Sequence, residues 1–180
     1  MAKRLEDMTL AELWELFPIE LVPHSGEWAS WAQDEIRSLG FILSTFHPVI
    51  SHIGSTAIDG IFAKPIIDIL VEIDRDKDWE MVKNMLVDAG YICMAESDMQ
   101  MSFNKGYTPK GYAEKVFHIH VHRAGDNDEI IFRDYLNAHH EMAIEYENLK
   151  LSLLLKYRNN RDAYTEAKSG FVSKILSLAK

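Results

Sequence analysis

The sequence predicts an α+β fold, a mixed β-sheet flanked by helices with a helical C-terminal part, and three observations carry that prediction. The run Ile66-Ile67-Asp68-Ile69-Leu70-Val71-Glu72-Ile73 is almost continuously β-branched or aliphatic, the pattern of a central strand buried on both faces. Three shorter strand candidates crowd into residues 91–123, separated by polar and Gly/Pro turns. Beyond Pro109 there is no further proline, and apolar residues recur at helical spacing to the C-terminus. Strands grouped apart from long helices give one sheet covered by helices.

From the N-terminus, Thr9-Leu10-Ala11-Glu12 has capping-box form and opens a short helix carrying Leu13, Trp14, Leu16 and Phe17, closed by Pro18. This reads as an extension over residues 1–20, ahead of a single domain over 21–180. Ser25 is placed to cap a second helix, with Trp28, Trp31, Ala32, Glu35 and Ile36 at helical spacing to about Leu39 and Gly40 as its end. Residues 41–53 read as an extended strand with an irregularity at Pro48, running into a tight Gly54-Ser55 turn and a helical turn before Pro65. Asp78 opens a helix with Trp79, Val82, Met85, Leu86 and Ala89, which Gly90 stops. Strands are expected at 91–95, 99–104 and 115–123. Asp126-Asn127-Asp128-Glu129 offers a second capping box before the stripe Ile131, Phe132, Tyr135 and Leu136, and helical pattern continues over 146–157 and 162–178.

A chain of 180 residues buries roughly 70% of the surface its unfolded form exposes and needs no covalent staples. The single Cys93 allows neither an internal disulfide nor a cysteine-based zinc site, and reads as a small buried apolar residue in a reducing compartment. With 19 Lys plus Arg against 28 Asp plus Glu, the net charge of −9 disfavours general nucleic-acid binding. No apolar stretch approaches the ~18–20 residues that span a bilayer. The expectation is a cytoplasmic protein with no membrane partner.

Three places depart from what a core or a solvated face needs. Ser51-His52-Ile53-Gly54-Ser55-Thr56-Ala57 runs from a strand into Gly-Ser-Thr, where exposed N–H groups and two hydroxyls make a phosphate cradle, although the same triplet is ordinary turn chemistry. Asp68 is a carboxylate inside an apolar strand, and an ionised acid there requires a partner or a metal; a pair with Lys64 is one structural explanation. Alternation puts Asp68, Leu70 and Glu72 on one face, with Asp68 and Glu72 ~13 Å apart, too far to share an ion. In Phe117-His118-Ile119-His120-Val121-His122 three imidazoles share one face at about 6.6 Å intervals, close enough for two to meet on one metal or phosphate. His139-His140 is assigned no role.

These residues carry a resemblance. His52-Ile-Gly-Ser-Thr-Ala57, Ala63-Lys64-Pro65-Ile66-Ile67-Asp68-Ile69-Leu70-Val71, Phe117-His-Ile-His-Val121, Phe132-Arg133-Asp134-Tyr135-Leu136 and Tyr164-Thr-Glu-Ala-Lys168-Ser-Gly-Phe171 look like the successive signatures of the GrpB family. The likeness starts near Leu21-Val22-Pro23 and covers about 160 of the 180 residues. That family resembles the nucleotidyltransferase superfamily, which implies a Gly-Ser turn holding a triphosphate and acid-bearing strands binding Mg²⁺ or Mn²⁺, with twelve residues between Ser55 and Asp68. Asp68 matches the first acid of the superfamily's Asp-x-Asp, Leu70 stands at the second, and His118 and His120 stand where a later acid is expected.

Three functions follow from the resemblance and the residues. In the first, a nucleotidyl or phosphoryl transferase, Gly54, Ser55 and Thr56 cradle phosphate, Lys64 neutralises it, Asp68, His118 and His120 bind a metal, and Asp68 and His120 are the catalytic pair. Arg133 and Lys168 join as phosphate contacts. The second is a non-catalytic nucleotide- or phosphate-binding module, which Leu70 favours. The third is a metal-dependent hydrolase centred on the histidine strand. All three take a small phosphate-containing ligand or nucleotide as partner.

Overall fold

A five-stranded sheet forms from Val49–Ile53 (β1), Ile67–Ile73 (β2), Ile92–Glu96 (β3), Gln100–Thr108 (β4) and Gly111–Arg123 (β5), in spatial order β1-β2-β5-β4-β3, in the computed structural model, which describes residues 4–180. β2 and β5 run parallel and every other pair runs antiparallel, so the sheet is mixed. The crossover joining β2 to β5 carries helix Trp79–Asp88, β3 and β4. Helices Leu10–Leu16 (α1) and Glu27–Ile42 (α2) precede the sheet, Trp79–Asp88 is α3, and Asp128–Ala138 (α4), His140–Tyr157 (α5), Arg161–Glu166 (α6) and Ser169–Ala179 (α7) follow it.

Strand alternation divides the sheet chemically. On one face Ile67, Ile69, Val71 and Ile73 of β2 and Phe117, Ile119 and Val121 of β5 pack with Trp28, Ala32 and Leu39 of α2 and Val82 and Leu86 of α3. Each fully buried aliphatic side chain contributes about 1.5–3 kcal/mol, so this face drives folding. The other face carries Asp68, Leu70 and Glu72 of β2 beside His118, His120 and His122 of β5 in paired register. A smaller core of Ile58, Ile61, Phe132, Leu136, Ala143, Tyr146 and Ile175 holds the C-terminal helices together.

Local chemistry explains the element boundaries, with five departures from expectation. The Thr9/Glu12 capping box forms as read, and Asp78 accepts from the Met81 N–H at 3.0 Å. α2, by contrast, passes through Gly40 to Ile42, because Leu39 and Leu43 lie one helical turn apart and both are fully buried. The chain turns only at His47, in the left-handed region (φ 50°), before Pro48, so β1 begins at Val49 and residues 41–46 are not strand. At the start of α4 no side-chain cap forms: the Asn127 amide lies 3.4 Å from Glu72 instead. Cys93 is half-buried on the sheet edge, not fully buried. β4 and β5 also extend past their expected ends, meeting in a hairpin with Thr108 opposite Gly111. No helix among the described residues is long and apolar enough to cross a membrane.

One buried polar cluster ties α2 to the sheet. Glu35, 6% exposed, accepts a hydrogen bond from the Tyr91 hydroxyl and two from Lys105 Nζ at 2.8 and 3.1 Å. Replacing Glu35 leaves a buried hydroxyl and an ammonium without their acceptor. Glu35→Ala is expected to lower stability by about 2–4 kcal/mol in urea unfolding, and a loss under ~0.5 kcal/mol would show that the cluster is dispensable.

Candidate functional site

The site is built on the polar face of the two central strands. Parallel register sets Asp68 beside His118 and Leu70 beside His120, so both imidazoles reach the Asp68 carboxylate. His118 Nδ1 lies 3.3 Å and His120 Nε2 3.2 Å from the same oxygen, Asp68 Oδ1, and the three donor atoms lie within 4.8 Å of one another. Burial opposes ionisation of Asp68, yet hydrogen bonds from His118 and His120 and their positive charge hold its carboxyl well below the usual range. His120, despite burial, has its pKa raised by Asp68 and, more weakly, Glu129, whereas burial lowers that of His118. The far nitrogen of His118 bonds the Tyr107 hydroxyl at 2.7 Å, and Arg161 donates to that hydroxyl at 2.9 Å. His122 takes a different path: 4% exposed, its Nδ1 bonds the Asp126 carbonyl at 2.9 Å.

The turn after β1 closes on the carboxylate from the other side. Gly54 has φ 73° and ψ −172°, a region that only glycine occupies at ease. A Cβ there would lie 2.5 Å from Asp68 Oδ2, so the backbone approach and the glycine are one requirement. The turn and the strand pair form one wall of a cavity of about 320 Å³, which Ser55, Lys64, Tyr146, Lys150, Arg161 and Lys168 complete.

Four cations therefore line a cavity with a single carboxylate, in a chain whose net charge is −9. Lys64 enters from the segment before β2, Lys150 from α5, Arg161 from the start of α6, and Lys168 from the turn before α7. Tyr164 holds two of them over its ring, with Lys64 Nζ 5.7 Å and Lys168 Nζ 4.8 Å from the centroid. Burial, then the charges of Lys168 and Arg161, lower Lys64 to about 8, and burial, then Lys168, lowers Lys150 to about 7. Burial, and after it repulsion among these cations, disfavours their charged forms, which a bound anion would offset.

Gly54, Ser55, Lys64, Asp68, His118, His120 and Lys168, all candidates from sequence, are brought together at this cavity. Two others are not. Thr56, 3% exposed, bonds His52 Nε2 at 2.9 Å and lies away from the cavity lining, so its hydroxyl fixes the turn instead of facing a phosphate. Arg133 donates to the His52 carbonyl at 2.6 Å and pairs with Asp134 at 2.7 Å, bracing the end of β1 from outside the cavity. Asp68 is partnered by the two histidines, and the Lys64 pair that would have explained it structurally does not form. Sequence reasoning gave no role to Lys150, Arg161 or Tyr107. Lys150 had a readable signal, a lysine one turn beyond Tyr146 on a stripe that includes Ala143, and it is 2% exposed. Arg161 and Tyr107 had none, since their hydrogen bond joins residues 54 positions apart.

The donor set fits a divalent metal ion: two imidazole nitrogens and a carboxylate oxygen converge with one side open to the cavity. The family model for GrpB protein matches residues 18–178. The chain belongs to the GrpB family. It is 41% identical to the glutamate-rich protein GrpB of Alkalihalophilus pseudofirmus, over 87% of this chain and 93% of that one, and 32% identical to a UPF0157 protein of Deinococcus radiodurans, over 87% and 80%. The crystal structure of the conserved protein GrpB from Enterococcus faecalis superposes with a TM-score of 0.75 at 26% identity, covering 89% of this chain and 96% of that one. The Cid1 poly(U) polymerase with Mg 3′-dATP bound superposes with a TM-score of 0.51 at 12% identity, covering 82% and 45%, which makes the fold of this GrpB-family chain nucleotidyltransferase-like.

Two outcomes check this geometry. Gly54→Ala is expected to cost about 1–3 kcal/mol in thermal unfolding, from the strained backbone and the displaced Asp68 carboxylate; an unchanged melting temperature would show the turn free to move. Sulfate, whose own charge is constant between pH 6 and 9, is expected to stabilise the protein less as pH rises from 7 to 9. Over that window Lys150 and Lys64, at about 7 and 8, lose the protons that attract it. Lys150→Met is expected to weaken sulfate stabilisation at pH 7 and flatten its pH dependence, and a flat wild-type response would remove the lysines as anion contacts.

Proposed function

We propose that this GrpB-family protein binds the phosphates of a nucleotide in the lysine-lined cavity and transfers a nucleotidyl or phosphoryl group from it to an acceptor. One observation carries the reading: Lys64, Lys150, Arg161 and Lys168, from four separate segments, converge on the cavity whose wall is the Asp68–His118–His120 group. A cluster of that charge in an acidic chain supports a polyanionic ligand, and the nucleotidyltransferase-like fold supports a nucleotide as its source.

The Gly54–Ser55 turn and the four cations bind and orient the phosphates, which are the largest requirements of phosphoryl transfer. Asp68, His118 and His120 hold a divalent ion, which when bound polarises a phosphoryl oxygen and spreads the charge that develops there. In the transfer, the acceptor oxygen forms a bond to phosphorus and gives up its proton to solvent as the bond to the leaving group breaks, which is pyrophosphate in nucleotidyl transfer and a nucleoside diphosphate in phosphoryl transfer. Asp68 and His120, both on the cavity wall, are the catalytic candidates.

A second reading, phosphate binding without catalysis, is favoured by Leu70. It lies on the Asp68 face beside His120 and is fully buried, so the position where a second acid would serve is closed by an aliphatic side chain. The two readings separate in one experiment. Nucleoside triphosphate at about 100 times its Kd stabilises by about 2.7 kcal/mol, visible as a rise in melting temperature. The expected result is such a rise in wild type and Asp68→Asn, its loss in Lys64→Met/Lys168→Met, and transfer of label that falls at least about a hundredfold in Asp68→Asn. Binding without transfer of α- or γ-phosphate label would select the binding module. No melting shift with any triphosphate would overturn both.

A further inference from the structure

We propose that the ion held by Asp68, His118 and His120 is a single borderline transition-metal ion of the Zn²⁺ class, and not Mg²⁺. This deepens the transfer reading and rests on it for the ligand of the cavity.

The donors argue against magnesium. Mg²⁺ demands near-octahedral oxygen coordination, typically from one or two carboxylates and phosphates, and binds imidazole poorly. Two of the three protein donors here are imidazole nitrogens, and the Asp68 group is the sole metal-competent cluster of histidine, cysteine and acidic side chains found among the described residues. Glu72, the other acid on that face of β2, accepts from the Gly125 N–H at 3.1 Å and is 9% exposed. Gly54 crowds Asp68 Oδ2, leaving Oδ1 as the oxygen that faces both histidines.

The spacing is compatible with a nitrogen-seeking ion. Donors about 2.0–2.1 Å from a tetrahedral centre lie about 3.3–3.4 Å from one another. His118 Nδ1 and His120 Nε2 lie 3.3 and 3.2 Å from Asp68 Oδ1, and the three donors lie within 4.8 Å of one another, so such an ion seats once the two imidazoles draw together. The outer contacts match as well. A metal-bound imidazole engages its other nitrogen in a hydrogen bond that fixes the tautomer, and the His118 Nε2 contact to Tyr107 at 2.7 Å, steadied by Arg161, is of that kind. Tyr107 is thus a positioning residue. His122, turned to the Asp126 carbonyl, is outside the set. Three protein ligands leave a coordination position facing the lysines, where a phosphate oxygen completes the shell and offsets the cations that oppose a bare ion.

The test uses Co²⁺, a coloured substitute for Zn²⁺, added to the metal-stripped full chain alone and with inorganic phosphate, and read by visible ligand-field absorption and equilibrium dialysis. One equivalent is expected to bind with the intense bands of a low-coordinate site. A hundredfold excess of Mg²⁺ is expected not to displace it, while equimolar Zn²⁺ does. His118→Ala and His120→Ala are expected to abolish the bands, His122→Gln to retain them, and Tyr107→Phe to keep them with about 10–100-fold weaker affinity. Circular dichroism melts establish that each variant is folded. The proposal is overturned if Co²⁺ fails to bind in both conditions, if Mg²⁺ displaces it at equal concentration, or if the bands survive in the folded His118→Ala and His120→Ala variants. Nucleotide-induced melting shifts in the metal-stripped protein are scored separately, so cavity and ion are judged independently.

Discussion

A half-buried carboxylate is the constraint around which the rest of the structure is arranged. Asp68 sits in the second strand of the sheet, where an unpartnered charge would cost several kcal/mol. Two histidines from the adjacent parallel strand, and a glycine turn pressed against its second oxygen, make that position tolerable. The parallel β2–β5 pairing matters for this reason. It brings residues 50 and 52 positions away in sequence to within 3.3 Å of one oxygen.

The division of labour between the two sheet faces follows from side-chain alternation. The apolar face, packed on α2 and α3, supplies the hydrophobic stabilisation and leaves the opposite face free for polar chemistry. The C-terminal helices are held together by their own core, including Phe132, Leu136 and Tyr146, so they deliver Lys150, Arg161 and Lys168 to the cavity as parts of a packed assembly. The cost of gathering these cations is visible in the lowered pKa values of Lys64 and Lys150.

The fold is shared with a poly(U) polymerase at 12% identity, and on it this chain sets a cation-lined cavity beside a single carboxylate. Leu70 lies two residues beyond Asp68 on the same strand face, with the imidazoles of β5 beside both. A site with one acid and two histidines need not use the ion or the acceptor that an acid-rich site uses. The GrpB family shares the scaffold, and the chemistry lies in the side chains mounted on it.

The sequence by itself determined the fold class, a central strand read at 66–73 and found at 67–73, the histidine strand and the glycine turn, because strand alternation and β-branched runs are local signals. It also made Asp68 conspicuous, as a charge in an apolar run. Gly40 misled because local propensity is worth about 1 kcal/mol, less than burying Leu39 and Leu43 on the same helix. Thr56 and Arg133 carried the right chemistry but support the turn from outside the cavity. Tertiary structure alone decided that Arg161 and Tyr107 join the site, that Asp68 pairs with His118 and His120, and that His122 does not take part. Those outcomes depend on which distant segments the packed helices and the parallel strand pair bring within hydrogen-bonding distance, and no local pattern encodes such a contact.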